Sequence, residues 1–87
     1  MDKYRVLVIE DVASTRHQLV RFVGKEGYEV LESDDGKAGL EIFKEHLPEI
    51  IITDLKLPGA SGLEVLHTAK KIFPSVQVII STAFGGG

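Results

Sequence analysis

Three short apolar runs in this chain each end in an oxygen-bearing side chain, and no other feature constrains the fold as strongly. The runs are residues 6–9, followed by Glu10 and Asp11; residues 50–53, followed by Asp54; and residues 76–80, followed by Ser81 and Thr82. If they are neighbouring parallel strands, these side chains collect at one rim of a sheet. Open α/β sheets bind their ligands at the rim formed by the carboxyl ends of the strands. The pattern therefore predicts where a site lies as well as a sheet.

The composition is that of one soluble globular domain. The chain has 87 residues, 44% of them hydrophobic and 26% charged, with a formal net charge of −3 and no cysteine. Disulfides and thiolate metal sites are therefore excluded. Because no apolar leader and no apolar run of about 20 residues is present, we expect a cytoplasmic protein that does not contact the membrane. The mild negative charge argues against direct nucleic-acid binding.

Strand-like and helix-like patterns alternate along the chain. The predicted strands are residues 6–9, 28–32, 49–54 and 76–80; the predicted helices are residues 14–25, a segment from the turn at residues 34–36 to Pro48, and residues 62–73. The second strand alternates apolar and polar residues, which is typical of an edge strand. Alternation of strands and helices with short connections predicts right-handed crossovers and an α/β fold with a doubly wound parallel sheet.

The spacing of apolar residues predicts which face of each helix is buried, and capping residues predict where the helices begin and end. The predicted inward residues are Leu19, Phe22 and Val23 in the first helix, Leu40, Phe43 and Leu47 in the second, and Leu63, Leu66 and Ile72 in the third. Gly27 suits a left-handed helix end. Asp34 and Asp35 predict a turn and a helix cap. Ser61 and Glu64 have the spacing of a capping box.

Taken together, the motif residues resemble the receiver domain of two-component response regulators. The residues that carry the resemblance are Glu10 and Asp11, Asp54, Pro58 and Gly62, and Ser81 to Ala83. The resemblance covers essentially the whole chain and implies a flavodoxin-like sheet with strand order 2-1-3-4. It also implies a protein that accepts a phosphoryl group and catalyses only its own phosphorylation and dephosphorylation.

The resemblance implies a role for each site residue. Asp54 is the phosphoacceptor, and its partner is a sensor histidine kinase or a phosphotransfer protein. Glu10, Asp11, Asp54 and the backbone carbonyl of Lys56 are the expected ligands of Mg²⁺, which prefers oxygen donors. Thr82 is the expected switch hydroxyl. The alternative for Thr82 is an ordinary strand-end hydroxyl bonded to the backbone.

Without a metal, the carboxylates of such a site repel one another. Two unit charges 4 Å apart repel by about 4 kcal/mol at an effective dielectric constant near 20. We therefore expect at least one of the acids to have a raised pKa. His17, His46 and His67 have no partners at metal-ligand spacing, so they are interpreted as surface residues.

In one respect the sequence departs from the family pattern. A receiver domain continues through a further helix, strand and helix, and a lysine before the fifth strand contacts the phosphoryl group. We therefore interpret residues 1–87 as a truncated receiver domain that lacks this helix-strand-helix portion. Without that lysine, Mg²⁺ binding is expected to survive weakly, phosphorylation of Asp54 to be slow or absent, and switching to be impaired. We also expect a homo-oligomer formed through the exposed fourth strand or through an uncovered face of the sheet.

Two alternatives to the receiver function remain open. One is a self-associating structural fragment of a receiver domain, without phosphotransfer activity. The other is a phosphatase of the haloacid dehalogenase type. That family places a second aspartate two positions after its nucleophile, and Lys56 occupies this position. The sequence therefore disfavours the phosphatase.

Overall fold

A parallel sheet with helices on both faces forms the structure. The computed structural model describes residues 3–81. Within this range the elements are β1 (Arg5–Ile9), α1 (Ala13–Lys25), β2 (Glu29–Ser33), α2 (Gly36–His46), β3 (Ile50–Asp54), α3 (Gly62–Ile72) and β4 (Gln77–Ser81). The predicted limits of the strands, of α1 and of α3 lie within one residue of these. The element pattern expected from the sequence is therefore confirmed.

Strand order in the sheet is β2-β1-β3-β4, with all pairs parallel, so the predicted flavodoxin-like order is confirmed. β1 and β3 are the central strands, and their continuous apolar runs are covered on both faces. On one face, α1 packs through Val23 on Val6 and Val8. On the other face, α2 and α3 pack on a larger cluster that includes Leu7, Ile9, Phe43, Ile51 and Val65.

The face that α1 covers becomes steadily more exposed toward β4. Val8, Ile52 and Ile79 form one row across β1, β3 and β4 in the strand register. Val8 is fully buried, Ile52 is half-buried, and Ile79 is 54% exposed. The reason is that α1 contacts β1 and β2 rather than the β4 side of the sheet. Among the described residues, β4 forms one edge of the sheet and β2 the other.

Some of the predicted helix faces are wrong in detail. Phe22 is 65% exposed, and α1 instead packs through Val20 beside Leu19 and Val23. In α3 the buried residues are Gly62, Val65 and Ala69. Leu63 and Ile72, which were predicted to face inward, are exposed. When a helix has apolar residues on more than one side, helical spacing alone allows either set to be assigned to the buried face. Small residues allow close packing on the sheet, and α3 uses that stripe.

The predicted helix ends are confirmed, with one exception. The Asp35 carboxylate accepts a hydrogen bond from Ala38 N–H at the start of α2. Ser61 and Glu64 form the expected capping box at α3, and Gly27 has a φ of 97°. Leu47, predicted to face inward, lies beyond α2 as its left-handed cap and is exposed. None of the helices in residues 3–81 is long and apolar enough to span a bilayer.

Candidate metal centre

Three carboxylates from two separate strands converge at the carboxyl rim of the sheet. Glu10 and Asp11 follow β1, and Asp54 is the last residue of β3, which pairs directly with β1. One potential ligand atom from each carboxylate lies within 4.8 Å of the others. Asp54 also stands in register with Ser81 at the end of β4. The rim that the strand endings predict therefore exists, and it is acidic.

Glu10 is the buried member of this acidic cluster, which consists of Glu10, Asp11 and Asp54. Its side chain is only 3% exposed. One carboxylate oxygen, Oε2, accepts a hydrogen bond from Val12 N–H at 2.9 Å. The guanidinium of Arg16 donates to the Glu10 backbone carbonyl at 2.9 Å and forms an ion pair with Glu32 at 3.1 Å. Arg16 thus holds the backbone of Glu10, and its salt bridge is with Glu32 rather than with a carboxylate of the acidic cluster.

Burial is the main reason why the pKa of Glu10 is raised above its ordinary value. The hydrogen bond from Val12 acts in the opposite direction and lowers the pKa. Asp11 raises it through a side-chain hydrogen bond and through its charge, and the charge of Asp54 raises it further. This result confirms the expectation that one acid of the metal-free site has a raised pKa. Glu10 therefore keeps its proton to a higher pH in the folded site than an ordinary glutamate does.

Asp54 is half-buried, and its local contacts fix one side of the carboxylate. Oδ1 accepts a hydrogen bond from Leu55 N–H at 2.8 Å, which is the hydrogen bond that the carboxylate makes among residues 3–81. The buried Thr53 hydroxyl donates to the Asp54 backbone carbonyl at 3.0 Å. Oδ2 is therefore the oxygen of Asp54 that remains available for a ligand or for chemistry.

Close backbone packing holds the segment that follows Asp54. A Cβ atom at Gly62 would lie 2.3 Å from the Asp54 carbonyl oxygen, so a glycine is required there. Farther along the loop, Gly36 of α2 donates its N–H to the Pro58 carbonyl at 2.9 Å. A Cβ atom at Gly36 would lie 1.8 Å from the backbone oxygen of Ala60. Residues 55–61 are thus fixed at both ends by contacts that exclude any larger residue.

The other predicted site residues differ in how far the structure describes them. Lys56 lies in the loop after β3, two residues beyond Asp54, with an exposed side chain; the ligand role of its carbonyl remains a prediction. Thr82 lies outside the described residues. The three histidines are exposed and do not belong to the acidic cluster.

Sequence reasoning did not identify two residues that position the acidic cluster. Arg16 holds the backbone of Glu10, and Thr53 holds the backbone of Asp54. An arginine in the first turn of the helix that follows Glu10 and Asp11 was an available signal for the first. For Thr53, a β-branched residue in a buried strand gives no signal beyond its strand propensity.

The donor set fits a hard divalent cation. Three carboxylates from Glu10, Asp11 and Asp54 offer oxygen ligands, and none of them forms a salt bridge within residues 3–81. A buried carboxylate without a compensating cation is costly, and a bound cation would remove that cost. Oxygen ligands with one or two carboxylates and water are typical of Mg²⁺. Cysteine, which zinc sites often use, is absent from the chain.

Comparison with known proteins finds receiver-domain similarity over nearly the whole chain. The family model described as the response regulator receiver domain matches residues 6–86. Sporulation initiation phosphotransferase F of Bacillus subtilis is 33% identical over 81 residues, which cover 93% of this chain and 65% of that protein. Chemotaxis protein CheY of Thermotoga maritima is 34% identical over 82 residues, which cover 93% of this chain and 68% of that protein.

Solved structures of similar proteins share the fold. A response regulator receiver domain protein from Clostridium thermocellum superposes with a TM-score of 0.84 at 35% identity and covers 88% of this chain and 63% of that one. A chain from the complex of histidine kinase ThkA with response regulator TrrA gives a TM-score of 0.83 at 32% identity, covering 93% of this chain and 70% of that one. The chain thus spans about two thirds of the length of the relatives it matches. On its strand order, its acidic cluster and these similarities, the chain belongs to the response regulator receiver domain family.

Proposed function

We propose that Asp54 accepts a phosphoryl group from the phosphohistidine of a sensor histidine kinase or a phosphotransfer protein. The observation that carries this proposal is the convergence of Glu10, Asp11 and Asp54 within 4.8 Å. The similarity to a chain from a kinase–response regulator complex supports a kinase as the partner. Aspartate carboxylates are established covalent phosphoacceptors. A lone aspartate at a strand end would not support this function.

The contacts of Asp54 suggest how the transfer proceeds. Leu55 N–H holds Oδ1, so Oδ2 attacks the phosphorus atom. The bond between phosphorus and the imidazole nitrogen breaks, and its electron pair remains on that nitrogen. Because the other ring nitrogen carries a proton, the imidazole leaves as the neutral ring. The product at Asp54 is an acyl phosphate. Thr53 and the close approach of Gly62 keep the end of β3 fixed, so little reorganisation is needed before the reaction.

Mg²⁺ is the cofactor that we propose for this site. Glu10, Asp11, Asp54 and the backbone carbonyl of Lys56 would hold the ion. When bound, it offsets the negative charge that accumulates on the transferring phosphoryl group. Glu10 must be ionised to act as a ligand, and its raised pKa means that it loses its proton at a higher pH than an ordinary glutamate.

The charge of the site also limits the proposed reaction. Three carboxylates and one divalent cation sum to about −1, and a phosphoryl group adds about −1.5 to −2 more. Within the described residues, no basic side chain forms a salt bridge with the acidic cluster. We therefore expect the 87-residue chain to be phosphorylated slowly.

For Thr82 we propose the role of switch hydroxyl, which contacts the phosphoryl oxygens and moves the loop after β4. The proposal rests on its place in the sequence directly after Ser81, the register partner of Asp54. Thr82→Ala should then still be phosphorylated at Asp54 but should lose the conformational response. Nuclear magnetic resonance shifts of α3 and β4 amides on adding beryllofluoride measure that response. An unchanged response would show that Thr82 is an ordinary strand-end residue.

Intact-mass spectrometry tests the phosphoacceptor directly. The 87-residue chain is incubated with a small-molecule phosphodonor and Mg²⁺, and a slow gain of one phosphoryl group is expected. Asp54→Asn should abolish the gain, and Asp34→Asn, at an exposed aspartate after β2, should not. Beryllofluoride binding, followed by amide shifts, should show the same pattern. Phosphorylation that persists in Asp54→Asn would refute the assignment.

A further inference from the structure

Arg16 connects the acidic rim to the neighbouring strand β2. Its side chain is only 15% exposed. The Nε atom pairs with Glu32 of β2 at 3.1 Å, and Nη1 donates to the Glu10 backbone carbonyl at 2.9 Å. The Glu10 N–H in turn donates to the carbonyl of Ser33, the last residue of β2, at 3.0 Å. Both polar groups of the Glu10 backbone are therefore tied to β2, one directly and the other through Arg16.

Helix stability does not explain an arginine at this position. Arg16 is the fourth residue of α1, whose first turn contains no acidic residue. The amino end of a helix carries partial positive charge, so a cation placed there opposes the helix dipole. Val12, the N-cap residue, makes no capping hydrogen bond through its side chain either. What Arg16 contributes is instead its pair of contacts with Glu10 and Glu32.

We infer that Arg16 is a positioning residue for Glu10, and that it sets the affinity of the acidic cluster for Mg²⁺ and its preference for Mg²⁺ over Ca²⁺. The inference rests on the proposed function, because it concerns the metal that we assign to that reaction. Among residues 3–81, the side-chain bonds of Arg16 reach Glu32 and the Glu10 backbone, and not a carboxylate of the acidic cluster. Arg16 therefore acts on metal binding through the position of Glu10.

The anchored backbone determines where the Glu10 carboxylate can lie. The side chain is 3% exposed, and Oε2 accepts a hydrogen bond from Val12 N–H at 2.9 Å. Mg²⁺ requires nearly ideal octahedral geometry at about 2.0–2.1 Å, whereas Ca²⁺ tolerates irregular geometry at about 2.3–2.6 Å. A carboxylate that is held in one place suits the smaller ion. Releasing the backbone of Glu10 should therefore weaken Mg²⁺ binding more than Ca²⁺ binding.

Amide-shift titrations of the full 87-residue chain, with Mg²⁺ or Ca²⁺ added alone, test the inference. Arg16→Gln removes a positive charge from the neighbourhood of a cation site. If charge were the main effect of Arg16, this variant would bind Mg²⁺ more tightly than the wild type. Positioning predicts the opposite sign. The Mg²⁺ affinity should fall by about tenfold, the size typical of losing a residue that orients a metal ligand, and the Ca²⁺ affinity should fall less.

Arg5→Gln is a matched control. Arg5 makes the same two kinds of contact at the amino end of the sheet, where it pairs with Glu29 of β2 at 3.6 Å and donates to the His46 backbone carbonyl at 3.0 Å. Its removal should leave both ion affinities unchanged. Arg16→Lys keeps the charge, but its single ammonium does not reproduce two separate donor nitrogens, so it should also bind Mg²⁺ more weakly than the wild type. Circular dichroism verifies that each variant is folded.

Hydrogen exchange in EDTA gives a readout that needs no metal. The amide of Val12 donates to Glu10 Oε2, so its protection reports whether the carboxylate stays in place. Exchange at Val12 should be faster in Arg16→Gln than in the wild type, and it should be unchanged in Arg5→Gln.

The possible outcomes separate this inference from the proposed function. Arg16→Gln could bind Mg²⁺ as tightly as the wild type or more tightly, or could lose Mg²⁺ and Ca²⁺ affinity by the same factor. Either result would overturn the inference and leave the phosphoacceptor role of Asp54 intact. A wild-type chain whose amide shifts do not respond to Mg²⁺ would overturn the proposed cofactor, and this inference with it.

Discussion

Replacing Glu10 with glutamine is expected to stabilise the protein when no divalent cation is present. One potential ligand atom of Glu10 lies within 4.8 Å of its counterparts in Asp11 and Asp54. At this separation two unit charges repel by about 3.5 kcal/mol at an effective dielectric constant near 20 and by about 0.9 kcal/mol in bulk water. Because Asp11 is exposed and Asp54 is half-buried, solvent screening makes the lower value appropriate for each pair.

Opposing changes set the size of the effect. Removing the charge of Glu10 relieves both repulsions, about 2 kcal/mol in total. It also removes the cost of burying that charge, which is the largest cause of the raised pKa. The glutamine oxygen still accepts the hydrogen bond from Val12, but a neutral bond replaces a charge-assisted one, at a cost of about 1 kcal/mol. The free energy of unfolding should therefore rise by at least about 1 kcal/mol, and a rise of about 1 kcal/mol raises the Tm by about 4–8 °C in a domain of this size.

Thermal and urea denaturation in EDTA and in Mg²⁺ check this prediction. A ligand at 100 times its Kd stabilises the folded state by about 2.7 kcal/mol. In saturating Mg²⁺ the wild-type protein should therefore become the more stable of the two, and Glu10→Gln should respond little. Glu45→Gln, at an exposed glutamate on α2, is the control and should follow the wild type. If Glu10→Gln is less stable than the wild type in EDTA, or gains as much from Mg²⁺, the reasoning is wrong.

Three further predictions concern pH, the loop after β3 and the cap of α3. In the folded state Glu10 keeps its proton above its ordinary pKa of 4.5. Without metal, the free energy of unfolding of the wild type, compared with that of Glu10→Gln, should therefore fall as the pH rises from 4.5 through the raised pKa. Titrating Mg²⁺ affinity over the same range should show an increase. Gly62→Ala, whose Cβ would lie 2.3 Å from the Asp54 carbonyl oxygen, should lower the free energy of unfolding by about 2 kcal/mol or more. Gly24→Ala has open space in α1 and should raise it by about 0.5–1 kcal/mol; urea denaturation that ranks the two equally would contradict the packing argument. Ser61→Ala should cost about 1 kcal/mol through loss of the capping box, and Ser14→Ala, an exposed serine within α1, is its control.

The sequence predicts the sheet and the acidic rim well because both depend on short-range patterns. Residues 6–9 and 50–53 are continuous apolar runs, and only a strand covered on both faces suits such short runs. Once those strands are parallel neighbours, Glu10 and Asp54 must lie at the same rim. The structure brings their carboxylates together, as the strand endings indicate.

Helix orientation and the support of the site were harder to predict. Phe22 and Leu63 lie on stripes that also satisfy helical spacing, and only the packing against the sheet selects Val20 and Val65 instead. The burial of Glu10, which raises its pKa, depends on the path of the connection between β1 and α1. Its backbone contact with Arg16 is likewise set by tertiary structure. Such contacts have no signature in the order of the residues.

The contact between Gly36 and the loop after β3 connects two segments that are distant along the chain. The Gly36 N–H binds the Pro58 carbonyl, and there is no space for a side chain between α2 and Ala60. Tightly packed backbones transmit displacements because they have no voids to absorb them. We therefore expect any rearrangement of residues 55–61 to shift the first turn of α2. A protein that binds this turn would sense the chemical state of the neighbouring rim without touching it.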